Sequence, residues 1–254
     1  MRLKYIEMGW ILAVRELFRN RIALIFILLI PSLFFTLIVA TTLDRPILFK
    51  LASISEATVF EVGERKEALI FMGLATIAFI SSFLGLNLVQ KHPDVDRRLV
   101  LCGYRSSELI ISKMGVLFCV ICLIGGYVIL ALLHFLQPKH LVQALLGLIL
   151  GGYVYGCYGL LAGAIFRREL EGVLSIVLLV NIDAGWLQNP IFYAGAQNKV
   201  VIRYLPAYFP SQASMVATFT DYSIVNAAVG SMGYGTFLLV FALMIYWGRM
   251  RLTR

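Results

Sequence analysis

The chain has 254 residues, 60% of them hydrophobic and 14% charged, against roughly 45–50% and about 25% in soluble domains. That balance excludes a soluble globular domain. The apolar residues fall in uninterrupted runs of about 20 instead of short alternating segments, which excludes a barrel; such runs cross a hydrocarbon core of roughly 30 Å as helices that satisfy their own backbone hydrogen bonds.

The opening MRLKYIEMGWILAVRELFRNR spaces Leu3, Ile6, Trp10, Val14 and Leu17 at steps of three and four, with Arg2, Lys4, Glu7, Arg15 and Arg19 largely elsewhere on the wheel. It predicts an amphipathic helix over 1–21 lying in the membrane interface, with Trp10 as an anchor. The stretch is too long for the basic start of a cleaved signal peptide. An uncleaved first span over about 22–43 is therefore expected, with Pro31 near its middle.

Five further spans follow, at about 68–90, 114–136, 141–166, 170–188 and 224–248. Between the first two, residues 44–67 carry nine charges and the apolar cluster Ile47, Leu48, Phe49 and Leu51. They are expected to form a modest surface loop with a short interfacial helix.

The segment KHPDVDRRLVLCGYRSSELIISK, residues 91–113, is more polar than a connection between two spans requires. Asp94 is expected to cap a short helix and Gly103 to stop it in a left-handed conformation. Val95, Leu99 and Cys102 then share a face, beside Arg97, Arg98 and Leu101. Ser106 is expected to cap the next helix, with Glu108 in its first turn. A stubby helix presenting leucines and arginines can dock in a groove of a soluble partner.

Span 4 contains G-x-x-x-G three times, at Gly147/Gly151, Gly152/Gly156 and Gly159/Gly163. That spacing lets helix backbones approach closely, with the partner helix in the same chain or in a second copy. Span 5, VLSIVLLVNIDAGWLQNP, carries Asn181 and Asp183 in its outer half. An acid within a span is by default a functional candidate, so both are candidate pathway residues. Asp183 lies far enough along for a structural role as well; Asp183→Asn is expected to leave assembly intact and to alter function only if that side chain lies on the pathway. Residues 189–223 are too apolar for a free loop and too broken by Pro190, Pro206 and Pro210 to span. Half-inserted, re-entrant helices are expected there, with Tyr193, Tyr204, Tyr208 and Phe209 as interfacial aromatics.

Of the 22 Lys and Arg, five precede the first span, five lie in 91–113, two form Arg167–Arg168 and three follow Gly248; seven remain for the other side. The positive-inside rule puts both termini and the 91–113 segment in the cytoplasm. The net charge of +8 thus sets orientation and gives no support to nucleic acid as a partner.

No G-x-x-x-x-G-K-[ST] phosphate cradle, H-E-x-x-H or G-x-S-x-G occurs. Cys119 and Cys122 form a C-x-x-C only as two small side chains in an apolar helix, and His92, His134 and His140 have no ligand spacing. Catalytic residues, a metal and a cofactor of the chain's own are not expected. The six spans and the 91–113 segment form one membrane domain.

Residues 94–113, a helix-like DVDRRLVLCG followed by YR and then SSELIISK, resemble the cytoplasmic loop of ABC transporter type 2 permeases. The resemblance rests there on Leu99, Leu101, Ser106, Glu108, Leu109, Ile110 and Lys113. The order of parts is also similar: an amphipathic N-terminal helix, six spans, and re-entrant helices before the last. The chain departs from the family at Gly103-Tyr104-Arg105, where a proline is common, and at YLPAYFPSQ, where an asparagine-proline-leucine is common.

The resemblance implies an all-α permease subunit with a cytoplasmic coupling helix, a bacterial inner-membrane setting and a homodimer or related heterodimer. It further implies two separate ATPase subunits that hold ATP and Mg and dock on Asp94, Arg97, Arg98, Leu99, Leu101, Arg105 and Glu108. The expected function is export of an amphiphile such as a drug, lipid or lipid-linked glycan, along a route lined by spans 1, 2 and 5. The alternative is a non-transporting membrane scaffold that recruits a cytoplasmic partner.

Overall fold

The computed structural model describes residues 2–19, 21–51, 59–91, 93–104, 106–166 and 168–252. In chain order they form α1 (Arg2–Arg19), α2 (Arg21–Thr41), β1 (Pro46–Lys50), β2 (Val59–Gly63), α3 (Glu64–Gln90), α4 (Pro93–Leu101), α5 (Ser106–Leu133), α6 (Leu141–Ile165), α7 (Glu169–Ile182), α8 (Pro190–Gly195), α9 (Lys199–Arg203), α10 (Tyr208–Phe219) and α11 (Val225–Leu252). A π-turn, Asp183–Leu187, prolongs α7. Six helices are long and apolar enough to cross a membrane: α2, α3, α5, α6, α7 with its π-turn, and α11. The protein is an all-α, multi-pass membrane protein with one small hairpin.

The hairpin corrects the expectation for 44–67. β1 pairs antiparallel with β2 from Pro46↔Gly63 to Lys50↔Val59. Ile47 and its cross-strand partner Val62 are half-buried, whereas Leu48 and its partner Glu61 are exposed. This period-two alternation of branched residues belongs to a strand. Two ties fasten the hairpin base: Arg45 Nε donates to Glu64 Oε2 at 2.5 Å, and Arg65 Nε and Nη2 donate to the Thr42 carbonyl at 3.1 and 3.0 Å. Because the strand ends at Gly63, α3 starts four residues earlier than the hydropathy suggests.

α3 and α6 form the centre of the bundle, with 78% and 67% of their most apolar stretches buried, against 17% for α2 and 22% for α11. Glycine sets their separation. A Cβ on Gly85 would stand 2.5 Å from the Gly156 carbonyl oxygen, and one on Gly159 would overlap the Ser82 carbonyl. Gly147 faces Ser214 of α10, Gly151 faces Leu74, Gly152 faces Ile121 and Ile77, Gly156 faces Leu117, and Gly163 faces Val89. All six glycines of the G-x-x-x-G pairs therefore meet helices of their own chain. Close backbone packing of this kind replaces the hydrophobic drive that lipid cannot supply.

α1 packs on α5, where a Cβ at Gly9 would stand 2.8 Å from Ser112 Oγ. Trp10, expected as an interfacial anchor, lays part of its ring over Gly115 of α5. α10 is too short to span, and its residues from Pro210 to Thr218 are all buried. Tyr193 and Tyr208, expected at an interface, are likewise buried; Tyr204 is exposed. Tyr193, Ile202 and Tyr208 bury one another in a small cluster, while Gly147 and Gly230 let α10 sink onto α6 and let Phe209 lie against α11. At the same end, Lys139 Nζ bonds Asp221 at 2.7 Å and holds that exposed carboxyl below its usual pKa range.

Candidate functional site

The sequence VNIDAGWLQNP cannot continue as a regular helix. α7 ends at Ile182, the chain widens into the π-turn, and Asn189 caps α8 by accepting from the Ile191 N–H at 2.9 Å, with Pro190 at the first helical position. Such π-turns concentrate at functional sites. Here the turn directs Asp183 into the protein. Its side chain is fully buried and accepts from Tyr155 Oη at 2.5 Å, Gln188 Nε2 at 2.8 Å and the Ala207 backbone N–H at 2.8 Å. Gln188 Nε2 also donates to the Ile202 carbonyl at 3.2 Å. One carboxylate thus ties α6, the π-turn and the elbow between α9 and α10. All three partners are donors, so an acceptor-only carboxylate satisfies them without a proton of its own.

Asn181, two residues earlier, faces the opposite way. It lines a cavity of about 430 Å³ together with Phe34, Thr76, Phe79, Val180 and Gly185. A second cavity of about 390 Å³ adjoins it and is lined by Phe26, Ile80, Phe83, Leu84 and Val173, among others. Ile30, Phe79 and Val177 line both. The two form one groove between α2, α3 and α7. Of the two candidate pathway residues the groove takes Asn181, whereas Asp183 lies behind it, in the packing. The sequence singles out Asp183 and Asn181 but not Tyr155, which is one of two tyrosines in the small-residue run GGYVYG.

The 91–113 segment forms a helix as expected, but it begins at Pro93. Asp94 is therefore inside the first turn and not its cap, because Pro93 suits the first helical position with its missing N–H and fixed φ. Gly103 has φ +99°, the left-handed stop that a side chain would strain. Val95 and Leu101 are exposed, at 51% and 79%; Arg98 and Cys102 are also exposed, and Leu99 is half-buried. The side chains of Asp94, Arg97, Arg105 and Ser106 lie outside the described residues. Glu108 is the correction in this set. It is 8% exposed in the first turn of α5, where its carbonyl accepts from Ser112 Oγ, so it offers little surface to a partner.

Fold and site define a six-span helical membrane protein with a lateral groove and a short exposed helix at one end. Comparison with protein-family models and with curated proteins finds no match to this chain.

Proposed function

We propose that this chain is the membrane subunit of an ATP-driven exporter of the ABC type 2 permease kind, with both termini and α4 in the cytoplasm of a bacterial inner membrane. Separate ATPase subunits, two per complex, hold ATP and Mg; this chain supplies the route and the docking helix. The observation that carries the reading is α4. A short helix set off by a left-handed glycine turn exposes Val95, Arg98 and Leu101 beside the span bundle, a combination suited to a partner's groove. The positive-inside distribution puts that helix on the side where ATP is found. Closure of the ATPases pushes on α4 and, through α5, on the bundle. The substrate is an amphiphile that moves along the groove of α2, α3 and α7, the spans 1, 2 and 5 of the sequence reading.

Leu101→Asp tests the reading, because an exposed leucine is dispensable to the fold and a buried charge in an interface costs about 2 kcal/mol or more. The variant is expected to reach the membrane at wild-type level and to lose a co-purifying, ATP-hydrolysing subunit. If partners are retained and none hydrolyses ATP, the scaffold reading replaces this one.

Gly103→Val is expected to act through geometry. It strains the φ +99° turn at a cost of about 1–3 kcal/mol, which re-aims α4. ATPase recovery should fall while the variant is still recovered folded in detergent in wild-type yield.

A further inference from the structure

We infer that the groove between α2, α3 and α7 binds a single-tailed amphiphile whose head is uncharged and hydrogen-bonding: a hydroxyl, amide or glycosyl group. The inference rests on the reading of the groove as the substrate route and adds which chemistry the groove accepts.

The two lobes differ in kind. The lobe bounded by Phe26, Ile80, Phe83, Leu84 and Val173 has an apolar side chain at every described lining position. It is a tail site. The other lobe has two polar side chains, Thr76 and Asn181, among its lining residues. Thr76 Oγ1 spends its proton on the Met72 carbonyl, and Asn181 Nδ2 spends one on the Val177 carbonyl at 2.7 Å. That leaves Asn181 one N–H and its carbonyl oxygen, a donor and an acceptor side by side. A hydroxyl or amide head can use both.

Charged heads are disfavoured by the same inventory. Among the described residues, no Lys, Arg, Asp or Glu lines either lobe. The nearest acid in sequence, Asp183, is fully buried with its carboxylate occupied by three donors, so it cannot neutralise a cation. Asn181 stands 12 residues into a 19-residue span, which at 1.5 Å per residue is about 18 Å into a core of roughly 30 Å. A charge brought there without a partner loses its hydration and gains nothing in return. The combined size of the lobes, about 430 and 390 Å³, falls within the range of small-molecule sites, roughly 300–1,000 Å³.

The test uses the full chain in phosphatidylcholine nanodiscs with a photoactivatable monoacylglycerol bearing its diazirine in the acyl chain, and maps the labelled residues by mass spectrometry. Labelling is expected on the Phe79–Phe83 and Val173–Val177 stretches. Unlabelled monolauroylglycerol should displace the probe at about one tenth of the concentration needed for lauroylcholine or laurate, because only the charged heads arrive unpaired. Asn181→Leu should abolish that preference while chain labelling persists; Phe83→Trp, which crowds the tail lobe, should weaken all three competitors alike. Labelling scattered over the outer faces of the spans, equal displacement by the charged heads, or a preference that survives Asn181→Leu would each overturn the proposal. No ATPase is needed for binding. Head selectivity without any ATPase partner would therefore fail the exporter reading alone, and an ATPase partner without selectivity would fail this one alone.

Discussion

Asp183→Ala is expected to lower the stability of the purified protein by about 3–5 kcal/mol, because three buried donors are left without their acceptor at about 1–3 kcal/mol each. The hydroxyl of Tyr155, the side-chain amide of Gln188 and the Ala207 N–H would all lose their acceptor at once. Asp183→Asn is not the silent change that an acid near a membrane interface suggests. The amide turns an N–H₂ toward groups that are themselves donors, and the expected loss is about 1–3 kcal/mol. Tyr155→Phe keeps the ring, removes one donor and should cost about 1–2 kcal/mol. The order Ala, then Asn, then the tyrosine variant, read as melting temperatures in one detergent, checks the account; an Asp183→Ala protein melting with wild type would refute it. Because the carboxylate joins α6 to the elbow before α10, limited proteolysis should cut the 196–207 stretch first in the weakened variants.

How much of this could be read from the sequence follows the range of the interactions. The six spans, the N-terminal helix and the Gly103 stop were legible because each depends on neighbours within a turn or two: an apolar run, a three-four periodicity, a residue that tolerates positive φ. The hairpin was not. Its strands are five residues each and pair across an intervening stretch, and the clue, Ile47 opposite Val62, exists only once the register is known. Burial was the second loss. Asp183 was legible as unusual, but its role depends on Tyr155, 28 residues earlier, and on Ala207, 24 later. Glu108 read as surface because it begins a helix next to a polar stretch; the packing of α1 on α5 beside it is tertiary. The glycine pairs of α6 announced close packing, yet whether they met their own chain or a second copy could be decided only by finding Ser82, Leu74 and Ser214 opposite them.

Gly159→Val is expected to abolish recovery of folded protein, whereas Gly126→Ala, with open space at its Cβ position, should melt within about 0.5 kcal/mol of wild type. Both residues are helical glycines in spans, and valine and alanine differ in helix propensity by at most about 0.7 kcal/mol, too little to account for a loss of folded protein. At Gly159 the obstacle is the Ser82 carbonyl, a backbone atom that no rotamer change can move. α3 and α6 would have to part along the most buried contact of the bundle. Ordinary overpacking costs about 1–3 kcal/mol where side chains can yield; here they cannot, and the whole stability of a protein is only about 5–15 kcal/mol. Gly159→Ala brings the same Cβ against the Ser82 carbonyl but neither of valine's two γ-carbons, so the helices need part less and some folded material should be retained, in lower yield than wild type. That variant then reports on the groove, because Ser82 Oγ donates to the Phe79 carbonyl at 2.9 Å and Phe79 and Phe83 on either side line the two lobes. Pushing Ser82 outward shifts both aromatic rings together. Gly159→Ala protein that still folds should bind the monoacylglycerol probe more weakly without changing its preference for uncharged heads, since Asn181 stands on α7 and is not displaced with α3.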